Sequence, residues 1–432
     1  MAQAFLPVNS EGPSVLRLGS GGLCYTGRVS TFSSRLAWPA QANALSALRA
    51  ERRTAGLPIL DFSESNPTRV GLLRDDSLIL SSLRDRLNLL YEPDPRGLRR
   101  AREAVAESCE ARGRRFDPDD VFLCASTSEA YGWLFKLLCD PGDAVLVPRP
   151  GYPLFDYLAG LESVQVRPYR LEYRHPAGWS LDLDSLASAL ADGRVRALVL
   201  INPNNPTGSY VSPREREAVV ELCARHGVAI IADEVFLDFP VEGGERDSFL
   251  GERRTLTFVL DGLSKSAGLP QFKLGWILPS GPSRELAEAA GRLEIIADSY
   301  LSAGTPAMNA LPVIMEEAAS FRRELGLRAR KDLEVLRSIL EGPDSPHRVL
   351  RCQGGWTALI ESPRFDSEEE LALGLLREAG LWVHPGYFFD MEREAYFAAS
   401  LILPPEVLEA GARSFCDFFT DFERFSGEAS RR

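Results

Sequence analysis

The sequence predicts an α/β protein: a large, mostly parallel α/β/α sheet domain followed by a smaller α+β domain. Three observations carry that prediction. The middle of the chain alternates short apolar runs with segments of helical period. The residues with chemical potential fall directly after those runs, where an open α/β sheet binds its ligands. At 432 residues the chain also exceeds one typical core, so two subdomains are expected.

In chain order, residues 1–33 lack a charged start followed by an apolar stretch, so no secretory signal is expected. They are rich in Ser and Gly and carry Arg17, Arg28 and a single acid, Glu11. A disordered tail is the expectation, with a transit peptide as the alternative. Segment 34–66 is expected to join the smaller domain, and the large domain is placed at 67–311. Within it, 121–124, 144–147, 197–201, 229–232 and 257–260 are read as buried strands. Segments 129–138, 213–225 and 284–293 are read as helices between them. From 312 the style changes. A long charged helix over 316–340 precedes 351–360, a helix from Ser367, a strand near 381–384 and a last helix after Pro405. The small domain is placed at 312–424 and a flexible tail at 425–432.

Composition narrows the function classes. A net charge of −12 argues against a nucleic-acid partner, which needs a clustered basic face. No apolar run reaches the roughly 18–20 residues of a membrane span. The seven cysteines, at 24, 109, 124, 139, 223, 352 and 416, are scattered and include no CxxC pair. That usage suits a reducing cytoplasm and offers no metal-ligand spacing. Lysine occurs only at 136, 265, 273 and 331. Arginine stays protonated near neutral pH and is no amine nucleophile, so any lysine chemistry has four candidates.

The most informative string is Asn202-Pro203-Asn204-Asn205-Pro206-Thr207-Gly208, directly after the expected strand 197–201. Its two prolines restrict the backbone and leave Asn side chains free to donate outward. A plain tight turn is the bland reading, and the length of the string disfavours it. The run 229–234 ends an expected strand on Asp233 and Glu234, where an isolated Asp is more often a helix cap. Next come Leu263-Ser264-Lys265-Ser266 and, eight residues after Lys265, Lys273. A lysine amine attacks an aldehyde only when partly deprotonated, which burial and neighbouring cations promote. Lys136 and Lys331 sit in helical patterns, where solvated faces explain them.

Ser126-Thr127-Ser128-Glu129 follows the expected strand 121–124 and opens a helix. A helix N-terminus offers unpaired N–H groups and partial positive charge to an anion. Ser126 and Glu129 also fit a capping box, and both roles can hold at once. Pro150-Gly151-Tyr152 follows 144–147, a place where an aromatic is often simply core.

In this order the strings resemble the signatures of the class I/II pyridoxal 5′-phosphate (PLP) aminotransferases, the aspartate-aminotransferase superfamily of fold type I. The resemblance runs across residues 60–400. It implies PLP as cofactor, joined as an imine to Lys265, which also carries the proton. Asp233 is implied to pair with the pyridine nitrogen and keep it protonated, so that the ring accepts electrons; Glu234 is read as structural. Asn205 is implied to bond the phenolic oxygen, Tyr152 to stack on the ring, and Ser126, Thr127 and Ser128 to hold the phosphate. Lys273 stands where the family usually has a phosphate-binding arginine, keeping the charge and losing the bidentate fork. The stretch Tyr91…Gly97-Leu98-Arg99 looks like the element whose tyrosine reaches the neighbouring subunit's phosphate, implying a homodimer. Ser65-Asn66-Pro67-Thr68 resembles the N-terminal substrate-contact segment.

The implied activity is transfer of an amino group from an amino acid to a 2-oxo acid by a ping-pong mechanism. Small-molecule donor and acceptor are the expected partners, without nucleic acid or membrane, in the cytoplasm. Two departures stand out. Phe236 replaces the tyrosine usual three residues after the pyridine-binding Asp, and loss of its hydroxyl is expected to raise the imine pKa. Ala398, in 396–400 after His384-Pro385-Gly386, stands where the family has an arginine gripping the substrate carboxylate. Such a bidentate pair supplies orientation and affinity, and Arg69 and Arg393 are candidates to replace it. That departure keeps a PLP-dependent lyase or decarboxylase as the alternative. A non-catalytic PLP-binding sensor with a DNA-binding head is disfavoured, because only 33 loosely patterned residues precede Ser34 and a helix-turn-helix head needs more.

Overall fold

The computed structural model describes residues 32–36, 38, 43–72, 76–343 and 345–429. Residues 1–31 of the tail expected at 1–33, and residues 430–432, lie outside them. The described chain enters through α1 (Ala44–Thr54), β1 (Leu60–Asp61), α2 (Ser77–Ser82) and α3 (Arg99–Ala111). Strands β2 (Phe122–Cys124), β3 (Ala144–Arg149), β4 (Gln165–Arg174) and β5 (Gly178–Leu181) follow. They share an eight-stranded sheet with β6 (Val195–Ile201), β7 (Ala229–Asp233), β8 (Thr257–Gly262) and β9 (Gly275–Ser280). Helices α4 (Thr127–Leu138), α5 (Phe155–Leu161), α6 (Leu183–Leu190), α7 (Pro213–His226), α8 (Leu263–Ser266) and α9 (Ser283–Tyr300) lie between and after the strands.

The sheet order is β2-β9-β8-β7-β6-β3-β4-β5. From β8 to β4 every pairing is parallel; β9 runs antiparallel to β2 and β8, and β5 antiparallel to β4. The mostly parallel large sheet is therefore present, and the five expected strands lie within two residues of their expected bounds. Three further strands carry no such signal in the sequence. β4 contains Arg167, Arg170, Glu172 and Arg174 and is largely solvent-facing, so it lacks the apolar run that marks a covered strand. β5 is its antiparallel edge partner, and in β9 the apolar run is only Trp276–Leu278 before Pro279.

The smaller half comprises α10 (Thr305–Leu340), β10 (Arg348–Val349), β11 (Thr357–Glu361), α11 (Glu368–Glu378), β12 (Leu381–Trp382), β13 (His384–Pro385), β14 (Tyr396–Ser400) and α12 (Pro405–Ala429). Its antiparallel sheet has the order β10-β11-β14-β13, while β12 pairs in parallel with β1. The N-terminal segment thus joins this half. Leu45 and Phe62 share a buried cluster with Leu381, Trp382 and Phe415.

Several expected boundaries are corrected. The break placed at 311/312 falls inside one continuous helix, which starts at Thr305 rather than 316. Pro306 occupies the first turn, where its missing N–H costs nothing. Pro312 costs about 3 kcal/mol in a helix interior. Burial of Met308, Leu311 and Ile314 in the large core, at about 1.5–3 kcal/mol each, outweighs it. The same helix buries Leu333, Leu336 and Leu340 in the small core. The expected single strand at 381–384 splits into β12 and β13, which pair in different sheets. Residues 425–429, expected as a flexible tail, continue α12; after Pro405 no proline interrupts it. Among the described residues, no helix is long and apolar enough to cross a membrane.

One buried charge is poorly served. Asp332 on α10 is 1% exposed, and its Oδ2 has no hydrogen-bond partner. Burial pushes its carboxyl up to about 7, against the pull of Arg328 and Lys331. The folded state therefore holds this proton more tightly than the unfolded chain, so its penalty grows as pH rises from about 4 to about 7. Asp332→Asn should stabilise the protein by about 1–2 kcal/mol at pH 8 and leave it unchanged near pH 4. Denaturant melts at the two pH values check this, and a variant less stable at pH 8 would contradict it.

Candidate active site

The carboxyl ends of the parallel strands converge. Ile201 at the end of β6 is the register partner of Asp233 at the end of β7, and Asp233 in turn pairs with Leu260 on β8. The string Asn202–Gly208 starts at that edge, its first N–H donating to the Asp233 carbonyl at 2.8 Å. Lys265 follows β8 by three residues, on α8. The Asn204 Nδ2 donates to the Pro150 carbonyl at 3.1 Å and so anchors the loop that carries Tyr152. Of the Asn residues in the string, Asn202 and Asn204 are buried and bonded within the chain. Asn205 is half-buried, and its side chain makes no hydrogen bond among the described residues, leaving its amide for a ligand.

Lys265 lies half-buried with its Nζ 4.8 Å from the Trp356 ring and 5.2 Å from the Phe236 ring. Two aromatic faces favour the ammonium by about 1–2 kcal/mol. Desolvation wins, however, and lowers the amine to about 8, with Asp233 pulling the other way. About a tenth of the side chains are then free amine at pH 7, far more than for an ordinary lysine. The turn after Lys265 closes through the Leu269 N–H to the Leu263 carbonyl at 2.9 Å. Gly268 makes that turn possible: its φ is +64°, and a Cβ there would stand 2.4 Å from the Phe321 ring.

Asp233 is buried beneath this point. Val235 N–H donates to Oδ1 at 3.3 Å, and the Tyr131 hydroxyl donates to Oδ2 at 3.0 Å. Burial pushes its carboxyl up to about 6 while both donors pull it down, so it remains an anion at neutral pH. Glu234 points elsewhere. Its oxygens accept from Ser248 Oγ at 2.6 Å and Phe249 N–H at 2.8 Å, and burial raises it to about 7. It ties down a loop. Tyr152 packs on Phe155, which packs in turn on Tyr131; burial raises the Tyr152 hydroxyl to about 12.

The N-terminus of α4 lies where β2 meets β9. Cys124 is the register partner of Gly275; Ser126 lies two residues beyond the one and Lys273 two before the other. A Cβ on Gly275 would sit 3.4 Å from Thr127 N and 3.2 Å from the Asp261 carbonyl, so a side chain there would push β9 and the α4 terminus apart by a few tenths of an ångström. The expected capping box forms by half. Ser126 Oγ accepts from Glu129 N–H at 3.1 Å, but the Glu129 carboxylate reaches Ala125 N–H at 2.6 Å rather than Ser126. Thr127 and Ser128 are half-buried in the first turn, and Lys273 is exposed, with no ion pair among the described residues. The first-turn N–H groups have no intrahelical acceptor.

Other expected residues lie apart. Tyr91 is 72% exposed, and no hydrogen bond or ring contact joins it to the residues above. Asn66 Oδ1 accepts from Thr68 N and Oγ1, making Ser65–Thr68 a local turn. Arg69 and Arg393 are both exposed, Arg69 lying 3.9 Å from Glu64. Ala398 is buried in the middle of β14, opposite Leu359 and His384. Tyr131 and Trp356 join the site without any signal in the sequence. A tyrosine inside an apolar helix and a tryptophan after two glycines carry no local mark of what they face.

The family described as Aminotransferase class I and II matches residues 81–413 of this chain. The chain belongs to that family. The chain is 30% identical over 258 residues to the glutamate-pyruvate aminotransferase AlaA of Escherichia coli K12, covering 59% of this chain and 63% of that protein. It is 31% identical over 340 residues to nicotianamine aminotransferase A of Hordeum vulgare, covering 74% and 71% of the two. The solved alanine aminotransferase of Pyrococcus furiosus superposes with a TM-score of 0.78 at 23% identity, over 87% of this chain and 96% of that one. That likeness is one of fold.

Family membership brings PLP as the cofactor. The donor set fits it. A lysine with a lowered pKa, a buried carboxylate at the strand end, an uncommitted Asn205 and an open helix N-terminus lie at one end of the large sheet. Tyr131→Phe tests the support beneath Asp233. Removing a hydrogen bond to a charged group costs about 1.5–3 kcal/mol, which should raise the Asp233 pKa and lower kcat about tenfold to a hundredfold. Steady-state rates with a melting temperature in parallel check it; an unchanged rate would show that Val235 alone suffices.

Proposed function

We propose that this protein is a PLP-dependent aminotransferase acting on an amino acid and a 2-oxo acid, with Lys265 as the residue that joins the cofactor. The observation that carries this reading is the pairing of a desolvated lysine with a buried, hydrogen-bonded Asp233 at the ends of adjacent strands. When bound, PLP supplies an aldehyde that condenses with amines and a ring that accepts an electron pair. Lys265 Nζ takes the proton from the donor's Cα and returns it in the reverse half-reaction. Asp233 would pair with the ring nitrogen and favour its protonated form. Asn205 would donate to the phenolic oxygen, and Tyr152 would pack on the ring. Ser126, Thr127 and Ser128 with the α4 N-terminus and Lys273 hold the phosphate.

Pyruvate and glutamate belong to the name of the Escherichia coli relative. Ala398 in this chain supports a different grip on the substrate carboxylate, so the donor is best found by screening. Purified protein is offered each amino acid while the cofactor's absorbance is followed, and a second series varies donor and acceptor together. Loss of the band with keto-acid release, and parallel reciprocal plots, are expected. Product release without loss of the band would replace this reading with a lyase or decarboxylase.

A homodimer is part of the proposal. Leu89, Leu90 and Tyr91 are 87%, 52% and 72% exposed, and Ile295 and Leu301 are 70% and 65% exposed. Hydrogen bonds from Asn309 to Asn88 and from Ser302 to Asp94 hold these two segments side by side. A monomer rarely leaves such an apolar patch in water, and a partner there supports Tyr91 as a contact to the neighbouring phosphate. Leu89→Asp should convert the dimer to monomers in sedimentation and weaken cofactor retention; a variant that stays dimeric would remove this patch from the interface. Free cysteines at 109, 124, 139, 223, 352 and 416 support a reducing, cytoplasmic setting.

A further inference from the structure

A crevice of about 830 Å³ opens between α3, segment 236–246 and the middle of α10. Neither Lys265 nor Asp233 lines it, so it is distinct from the site above. We propose that it is a second ligand site, for a small organic phosphate with an apolar body.

The charge arrangement carries the argument. On the crevice lining, Asp238 is shared by two guanidiniums, with Arg112 Nη2 at 2.8 Å and Arg322 Nε at 3.6 Å from the same oxygen. Both are held in place from behind. Arg112 also pairs with the buried Asp261 at 3.1 Å, and Arg322 Nη1 donates to the Ser266 carbonyl at 3.2 Å. Around them stand Arg246, Arg323 and Arg330, none of which makes an ion pair among the described residues. Glu107 and Glu316 are the other acids of the lining. Counting Asp261 behind Arg112, five arginines face four acids, an excess of one positive charge, in a chain whose net charge is −12.

Like charges gathered in a concavity repel one another and draw in whatever anion enters. A positive excess suits an anionic head, and guanidinium forks grip phosphate oxygens bidentately. The remaining wall is apolar, built from Ala104, Pro312, Val313 and Leu327, which suits a hydrocarbon or aromatic body. The volume is that of a small-ligand site.

The test uses the PLP-saturated full-length protein, so that the cofactor's own phosphate cradle is filled. Phenyl phosphate is titrated in by calorimetry at low salt, with phenol as the uncharged control. One saturable site per chain is expected, absent for phenol. The double variant Arg323→Ser with Arg330→Ser should weaken binding at least tenfold. Both side chains are exposed, so the melting temperature and the cofactor's absorbance should stay unchanged. Absence of saturable binding at millimolar phenyl phosphate would overturn the proposal. So would equal binding of phenol, or an affinity untouched by the double substitution.

Discussion

Lys265→Ala is expected to abolish covalent attachment of the cofactor and to lower turnover by about 10⁴-fold or more, since a positioned general base alone is worth about 10²–10⁴. The loss should be chemical rather than structural. The Nζ makes no hydrogen bond among the described residues, and the rings of Phe236 and Trp356 lie beside it. The backbone of the turn is closed by Leu263, Leu269 and Gly268 without help from the side chain. The variant should therefore melt near the parent temperature. In the parent, borohydride reduction and peptide mapping should label position 265 and leave 136, 273 and 331 untouched. Those three have no comparable desolvation: Lys136 is paired with Glu162, and Lys273 and Lys331 are exposed. Label found on Lys273 instead would move the chemistry eight residues along the chain and end the present assignment.

Asp233→Asn should be the second most damaging change, lowering kcat by about 10²–10³-fold, the scale of one preorganised electrostatic contact in a dry site. Asparagine keeps the shape: its oxygen can still accept from Val235 N–H, and its Nδ2 can donate to the Tyr131 hydroxyl oxygen once that hydroxyl turns, so the substitution chiefly removes the charge. A pH series sharpens the result. Burial holds the Asp233 carboxyl at about 6, above the unfolded value, so the anion that supports a ring N–H is present above that pH and disappears below it. Cofactor affinity of the parent should exceed that of the variant at pH 8, and the difference should vanish as the pH falls below about 6. The phosphate of the cofactor titrates identically in both proteins and cancels in the comparison. Equal affinities at pH 8 would mean that the carboxylate does not face the ring.

Both predictions concern residues that can be picked out by position alone. Asp233, Asn205, Lys265 and the Ser126–Ser128 turn each follow an apolar run by a few residues. A parallel strand covered on both faces announces itself as such a run, and its carboxyl end is where ligands bind. Local chemistry suffices to suggest a phosphate at the α4 terminus, because backbone N–H groups there are unpaired whatever the rest of the chain does. The scarcity of lysine by itself reduces the nucleophile to four candidates.

What the chain cannot announce depends on contacts between distant segments. The Tyr131 hydroxyl reaches Asp233 across 102 residues of sequence, and Trp356 approaches Lys265 from the other half of the molecule. β4 and β9 are hidden because one is wetted on its polar face and the other has only three apolar residues before Pro279, and pairing with neighbours decides both. The boundary expected at 312 dissolves into α10 because two separate cores each bury part of that helix. Sequence alone determined which groups are available and roughly which strand end each occupies, since those follow from periodicity and local bonding. The fold decided their pKa values and their partners, since desolvation and hydrogen bonding arise only when remote segments exclude water from one another.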